Sequence, residues 1–121
     1  MRTFADLDAL IAAEGEELGS SAWLEIDQDR IDRFADATGD HQWIHVDQEK
    51  AAQGPFGSTI AHGFLSLSLL AYFGPQVYTL EKAPTMGINY GLNKVRFLQP
   101  VKVGSRVRDT VRLTGTRTTD K

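Results

Sequence analysis

His62-Gly63-Phe64-Leu65-Ser66-Leu67-Ser68-Leu69-Leu70-Ala71-Tyr72-Phe73 is an apolar run broken only by two serines. On a helical wheel its apolar residues fall on every side, so the run predicts a helix over 62–74 buried around most of its circumference. Gly74-Pro75 then interrupts or kinks it. At this length, and with Ser66 and Ser68 inside, it is too short to span a bilayer. A buried helix needs something to enclose it, and the flanking sequence offers strands. Upstream, Ala22, Leu24 and Ile26 alternate with Trp23 and Glu25. Downstream, Gly87 to Val103 and Arg106 to Thr116 read as strands. Val95 and Phe97 alternate with Lys94 and Arg96, and Val107, Asp109, Val111 and Leu113 with Arg108, Thr110 and Arg112. Gly104-Ser105 supplies the turn between them. The expected class is α+β, with an antiparallel sheet wrapped around a central buried helix.

The bulk numbers agree with a single domain over 1–121, since 121 residues suffice for one core. A net charge of −3 with dispersed basic residues argues against a nucleic-acid partner. The chain has no cysteine, which excludes disulfides and thiol chemistry and suits a reducing cytoplasm. At the amino terminus, Asp6 and Asp8 and the lack of a long apolar run argue against a signal peptide. Residues 1–20 read as a helical segment starting near Thr3 and Asp6, with Phe4, Leu7, Leu10 and Ile11 on one stripe and Gly15 and Gly19 closing it. The expectation is a soluble cytoplasmic protein with no membrane partner.

The residues that bear chemistry precede the apolar run. Asp29 to Thr38 predicts a helix with Ile31, Phe34 and Ala35 on one face, and Gly39 suits the left-handed turn that ends it. Asp40 is then the first residue of a loop, with His45 close behind. A carboxylate and an imidazole so placed can converge on one water. Taken alone, Asp40 also reads as a loop residue satisfying a helix end, and His45 as a packed core histidine. Asp47 can cap a short helix running to Gln53, and Gly54-Pro55-Phe56-Gly57-Ser58 is a turn-rich loop.

At these residues the sequence resembles the MaoC-like, (R)-specific enoyl-CoA hydratase family of hot-dog-fold proteins. That family's signature is Gly-Asp-x-Asn-Pro-(Leu/Ile)-His followed by an acidic residue, with a later His-Gly opening the central helix. This chain has Gly39-Asp40-His41-Gln42-Trp43-Ile44-His45-Val46-Asp47 and then Ala61-His62-Gly63-Phe64. The similarity covers roughly residues 21–116, with Gln42-Trp43 standing where the family has Asn-Pro. Family domains continue for about two more strands, so the expected fold is a hot-dog domain lacking the last strands. Such a subunit either leans on a partner or lacks its natural end.

The resemblance implies reversible syn addition of water to a trans-2-enoyl-CoA, giving a (3R)-hydroxyacyl-CoA. It implies no cofactor beyond the coenzyme A thioester that is the substrate, and a homodimer with substrate between subunits. Asp40 and neutral His45 would hold and deprotonate the water, and the same pair would return the proton. The backbone N–H of Gly63, in the first turn of the buried helix, would stabilise charge on the thioester oxygen. Gln42, Trp43, Phe56, Gly57 and His62 would shape the substrate site, with His62 fixing the loop. Lys94 and Arg96, with Lys102 and Arg106, would meet the phosphates of coenzyme A, although a charged outer sheet face explains them equally well.

Four rival readings remain at this level. One is a dehydratase or thioesterase of the same fold acting on acyl carrier protein. Another is a non-catalytic acyl-thioester binding module, in which Gln42-Trp43 blocks the water site. The third is a metal site built from Asp40, His41, His45 and His62, against which Gly39 argues by opposing a helix over 40–45. The fourth, a serine nucleophile, is disfavoured because Gly-x-Ser-x-Gly is absent. Ser66 and Ser68 instead read as returning hydrogen bonds to their own helix, and His41 as a solvated loop residue.

Overall fold

The computed structural model describes residues 1–119. In chain order the elements are β1 (Arg2–Phe4), α1 (Leu7–Ile11), β2 (Glu17–Ser20), β3 (Leu24–Glu25), α2 (Gln28–Thr38), α3 (Trp43–Val46), α4 (Gln48–Ala52), α5 (Gly63–Ser68), α6 (Leu70–Val77), β4 (Tyr78–Leu80), β5 (Arg106–Val107) and β6 (Thr110–Arg112). The class is mixed α+β, as the alternation predicted. The chain divides into two compact units. One takes residues 1–22, 71–93 and the segment from Arg108 onward; the other takes 23–70 and 94–107.

In the first unit β1 pairs with β4 in parallel, matching Thr3 to Thr79, and β2 pairs with β6 antiparallel, matching Ser20 to Thr110. Phe4, Ala13, Leu18 and Val77 form its buried core, with Leu10, Tyr78, Leu80, Val111 and Leu113 packed against them. Here the expected 1–20 helical segment is corrected. Thr3 lies in a strand, and the helix begins at Leu7 because the Asp6 carboxylate accepts the Ala9 N–H at 2.9 Å. Gly19 sits inside β2, at a register shift that its φ of 135° accommodates.

The second unit carries the predicted helix at 29–38 almost unchanged. Asp27 caps α2 by accepting the Arg30 N–H at 2.8 Å, and Gly39 ends it with φ 83° and its N–H on the Ala35 carbonyl. Ile31 and Ala35 are fully buried. Asp47 caps α4 through Lys50, also as predicted. Strand β3 pairs antiparallel with β5, and residues 59–61 run antiparallel to 101–103 through the Ile60–Lys102 bridge.

Three expectations change. The strand predicted over 21–26 shrinks to Leu24–Glu25. The strand over 87–103 reduces to the single bridge at Lys102. Pro100 lacks an N–H, and residues 87–99 have no ladder partner among the described residues. The central helix over 62–74 is instead α5 and α6, parted at Leu69. Pro75 lies inside α6, where its φ suits a helix but it has no N–H for the Ala71 carbonyl. Burial follows one stripe, Leu65, Leu69, Phe73 and Val77, whereas Phe64 is 69% and Tyr72 54% exposed. Among the described residues the strands pair only two by two, so no continuous antiparallel sheet encloses the helix. The outward sides of the wheel therefore stay open.

Candidate active site

Gly39 turns the chain out of α2 and leaves Asp40 in a short irregular segment, where its carboxylate accepts the Gln42 N–H at 3.3 Å. His45 comes not from a loop, as its spacing after Gly39 suggested, but from the one-turn helix α3. Its ring is 6% exposed. Nδ1 lies 2.7 Å from the Ile60 carbonyl, and a carbonyl only accepts, so Nδ1 carries the proton and Nε2 is left as the acceptor. The Ile60 carbonyl is itself held by the bridge to Lys102 and by the Ile60 N–H on the Ile44 carbonyl.

His62, 3% exposed, stacks on His45 with ring centroids 3.8 Å apart and 22° between planes. Its Nε2 donates to the Asp40 backbone carbonyl at 3.0 Å, while its Nδ1 is buried without a partner among the described residues. One hydrogen bond thus ties the amino-terminal side of α5 to the segment that bears the carboxylate. A ligand atom of Asp40 and of each histidine all lie within 4.8 Å of one another.

Such a trio invites a cation. However, the in-plane lone pairs of rings stacked this way lie in nearly parallel planes, while two imidazoles on one ion must aim at a common centre about 2.0–2.1 Å from each nitrogen. The set fits a small hydrogen-bonding molecule better than a metal. His41, the fourth residue of the metal alternative, is half-exposed and lies 2.9 Å from Asp36, a bond that raises its pKa above the ordinary histidine value. It faces that carboxylate and is not part of the trio.

A cavity of about 310 Å³ adjoins His45. Phe56, Ile60, Gly63, Ser66, Phe97 and Val101 are among its walls. Gly63 opens α5, and its N–H has no acceptor among the described residues. The absence of a side chain there has a local reason, because a Cβ would come within 2.7 Å of the Phe97 ring. Ser68 returns its hydroxyl to the Leu65 carbonyl at 2.7 Å, as predicted, but the buried Ser66 Oγ has no partner among the described residues.

Of the proposed substrate residues, Phe56 lines the cavity and His62 touches His45. Gln42, Trp43, Gly57, Lys94 and Arg96 do not line it. Trp43 turns instead onto Gly54, with Lys50 Nζ 4.8 Å from its ring centroid. The indole is therefore not a wall of this cavity. Arg96 bends back to the Val95 carbonyl at 2.8 Å.

The sequence reading missed Gln28. Its amide donates to the His45 carbonyl and to Asp32, both at 2.8 Å, and its carbonyl accepts from the Thr59 hydroxyl. This strut fixes both α3 and the strand segment that holds His45. Nothing marks it in the sequence beyond an amide at the start of a helix. Phe97, Gln99 and Pro100 were likewise not recognised as cavity walls.

Residues 10–121 match the family described as the MaoC like domain. Over 115 residues the chain is 60% identical to "3-hydroxyacyl-thioester dehydratase Z" of Mycobacterium tuberculosis, covering 95% of this chain and 76% of that protein. It is 59% identical over 95 residues to "Nodulation protein N" of Rhizobium leguminosarum bv. viciae, covering 78% of this chain and 59% of the other. Among solved structures it resembles the R-hydratase PhaJ1 of Pseudomonas aeruginosa, with TM-score 0.63 and 28% identity over 78% of this chain and 57% of that one. The (R)-hydratase of A. caviae, described as involved in PHA biosynthesis, gives TM-score 0.64 and 29% identity over 87% and 77% of the two chains. The chain thus spans little more than half of the Pseudomonas enzyme.

Proposed function

Because this chain belongs to the MaoC-like domain family, and is on that ground a hydro-lyase of the 3-hydroxyacyl-thioester dehydratase kind, we propose that it interconverts trans-2-enoyl-CoA and (3R)-hydroxyacyl-CoA with Asp40, His45 and Gly63 as its catalytic groups. The observation that carries these roles is the convergence of the Asp40 carboxylate on a histidine whose tautomer is set by the Ile60 carbonyl.

In the hydration direction, His45 Nε2 and the Asp40 carboxylate each accept a hydrogen bond from one water, and the pair takes one of its protons as the oxygen attacks C3, the other proton staying on the new hydroxyl. The pair then delivers one proton to C2 on the same face of the double bond. Negative charge grows on the thioester oxygen, and the unpaired Gly63 N–H receives it. Phe56 forms an apolar wall for the acyl chain and His62 holds the Asp40 segment in place. Lys94 and Arg96 would meet the phosphates of the coenzyme A moiety, and Gln42, Trp43 and Gly57, which do not line the cavity, would belong to the substrate site outside it.

The proposal treats 1–121 as one hot-dog domain working as a cytoplasmic homodimer without a metal or cofactor. Its support for dimerisation is local. Met86, Ile88, Tyr90 and Leu92 alternate as a strand would, and Tyr90 is 99% exposed with no ladder partner among the described residues. The carrier-protein dehydratase or thioesterase and the non-catalytic binding module are the alternatives. Trp43, turned onto Gly54, speaks against the module, whose motive is a water site blocked by Gln42-Trp43.

The test is the ultraviolet absorbance of the conjugated enoyl thioester. The wild-type chain should consume it, with a higher rate on coenzyme A than on acyl-carrier-protein substrates. Asp40→Asn and His45→Ala should each lower kcat by about a hundredfold or more while keeping the circular dichroism of the parent. Near-parental turnover in either variant refutes the assignment of that residue.

A further inference from the structure

We propose that Ser66 is a second catalytic hydrogen-bond donor, its hydroxyl reaching the thioester carbonyl oxygen alongside the Gly63 N–H. Buried polar groups are almost always paired, so one that is not calls for a specific explanation. Ser66 Oγ is buried with no partner among the described residues, although the Leu65 carbonyl satisfies the equivalent hydroxyl of Ser68 in the same short helix. Helix propensity and local capping therefore do not account for Ser66.

Position narrows the role. Ser66 lies three residues after Gly63, and on a helix residues so spaced share one face. A helical side chain leans toward the amino terminus of its helix, so the Ser66 hydroxyl overlies the turn that begins at Gly63. Ser66 and Gly63 also line the same cavity, together with His45. A serine hydroxyl rotates about one bond at little cost, so it can turn toward an acceptor that a bound molecule brings. A thioester oxygen that meets the Gly63 N–H brings a strong acceptor to the same turn as its charge develops. No bond to Ser66 forms or breaks, and the hydroxyl keeps its proton throughout.

Ser66 takes this role only within the dehydratase reaction proposed above, so the test must separate the two. Wild type, Ser66→Ala, Ser66→Thr and the blank Asp40→Asn are assayed side by side on one enoyl-CoA, and each is melted thermally. An unpartnered buried hydroxyl contributes nothing to the fold, so Ser66→Ala should melt at or above the wild-type temperature. Its kcat should nevertheless fall on the order of tenfold to a hundredfold, with KM changed far less. Ser66→Thr keeps a hydroxyl and should retain most of the lost kcat.

If the wild type turns over no thioester, the reaction itself is refuted. If the wild type is active and Ser66→Ala stays within about twofold of it, only the role of Ser66 falls. A drop in the melting temperature of Ser66→Ala, or an equal loss of kcat in the alanine and threonine variants, likewise overturns the assignment in favour of packing.

Discussion

His45 illustrates how a single backbone carbonyl can decide what a side chain does. Without the Ile60 carbonyl, either ring nitrogen is free to carry the proton; with it, Nε2 is the acceptor and the ring is turned for base chemistry. His62 is fixed by the same device in the opposite tautomer, through the Asp40 carbonyl. Asp109 shows the converse, a carboxylate whose surroundings work against its charge. Burial alone raises its pKa above the ordinary 3.8. A carboxyl that ionises less readily in the folded state adds stability below its unfolded pKa, and that addition is lost as the pH rises through the folded value. Asp109→Asn should therefore melt higher than the parent at neutral pH, and the difference should shrink as the pH is lowered toward 3.8. Paired melting curves across that range check the sign, and a variant that melts lower at pH 7 contradicts it.

At the scale of elements, the candidate site depends on three short pieces that would not hold their shape alone. Helix α3 is a single turn with no side-chain cap, and isolated helices this short do not persist in water. Gln28 supplies the missing support by joining the start of α2 to the His45 carbonyl and to Thr59. Gln28→Ala should cost about 1–3 kcal/mol, because it leaves a carbonyl and a hydroxyl in the interior without partners. A shifted urea midpoint with an unchanged m-value is the expected readout, accompanied by a fall in kcat as α3 loosens. A midpoint equal to the parent's would show that water replaces the strut. The divided central helix belongs to this scale as well. Its burial follows a four-residue stripe, which leaves Ser66, off that stripe, to line the cavity.

For the molecule as a whole, the exposed alternating segment at 86–92 has a measurable consequence. Four apolar side chains of strand-like spacing with no partner are an edge that invites pairing. Light scattering after size exclusion should return twice the mass of the chain, and Tyr90→Lys should shift the population toward the monomer. A monomeric parent at high micromolar concentration contradicts the proposed dimer. Much of this protein was legible in its sequence. The α2 helix with its glycine stop and the Asp47 cap follow from local rules, because capping and left-handed turns act within a few positions, whereas the convergence of Asp40 and His45 was expected from the family resemblance. The alternation from Val107 to Leu113 was readable for the same reason. What sequence misjudged was non-local. It took residues 87–103 for a strand, although a strand exists only where another backbone lies beside it. It took the apolar run for an enclosed helix, although enclosure depends on how many strands join into one sheet. The tautomers of His45 and His62, the strut at Gln28, the turning of Trp43 onto Gly54 and the unpaired Ser66 hydroxyl were decided only in three dimensions, since each depends on which distant carbonyl, hydroxyl or ring the fold brings within hydrogen-bond or packing distance.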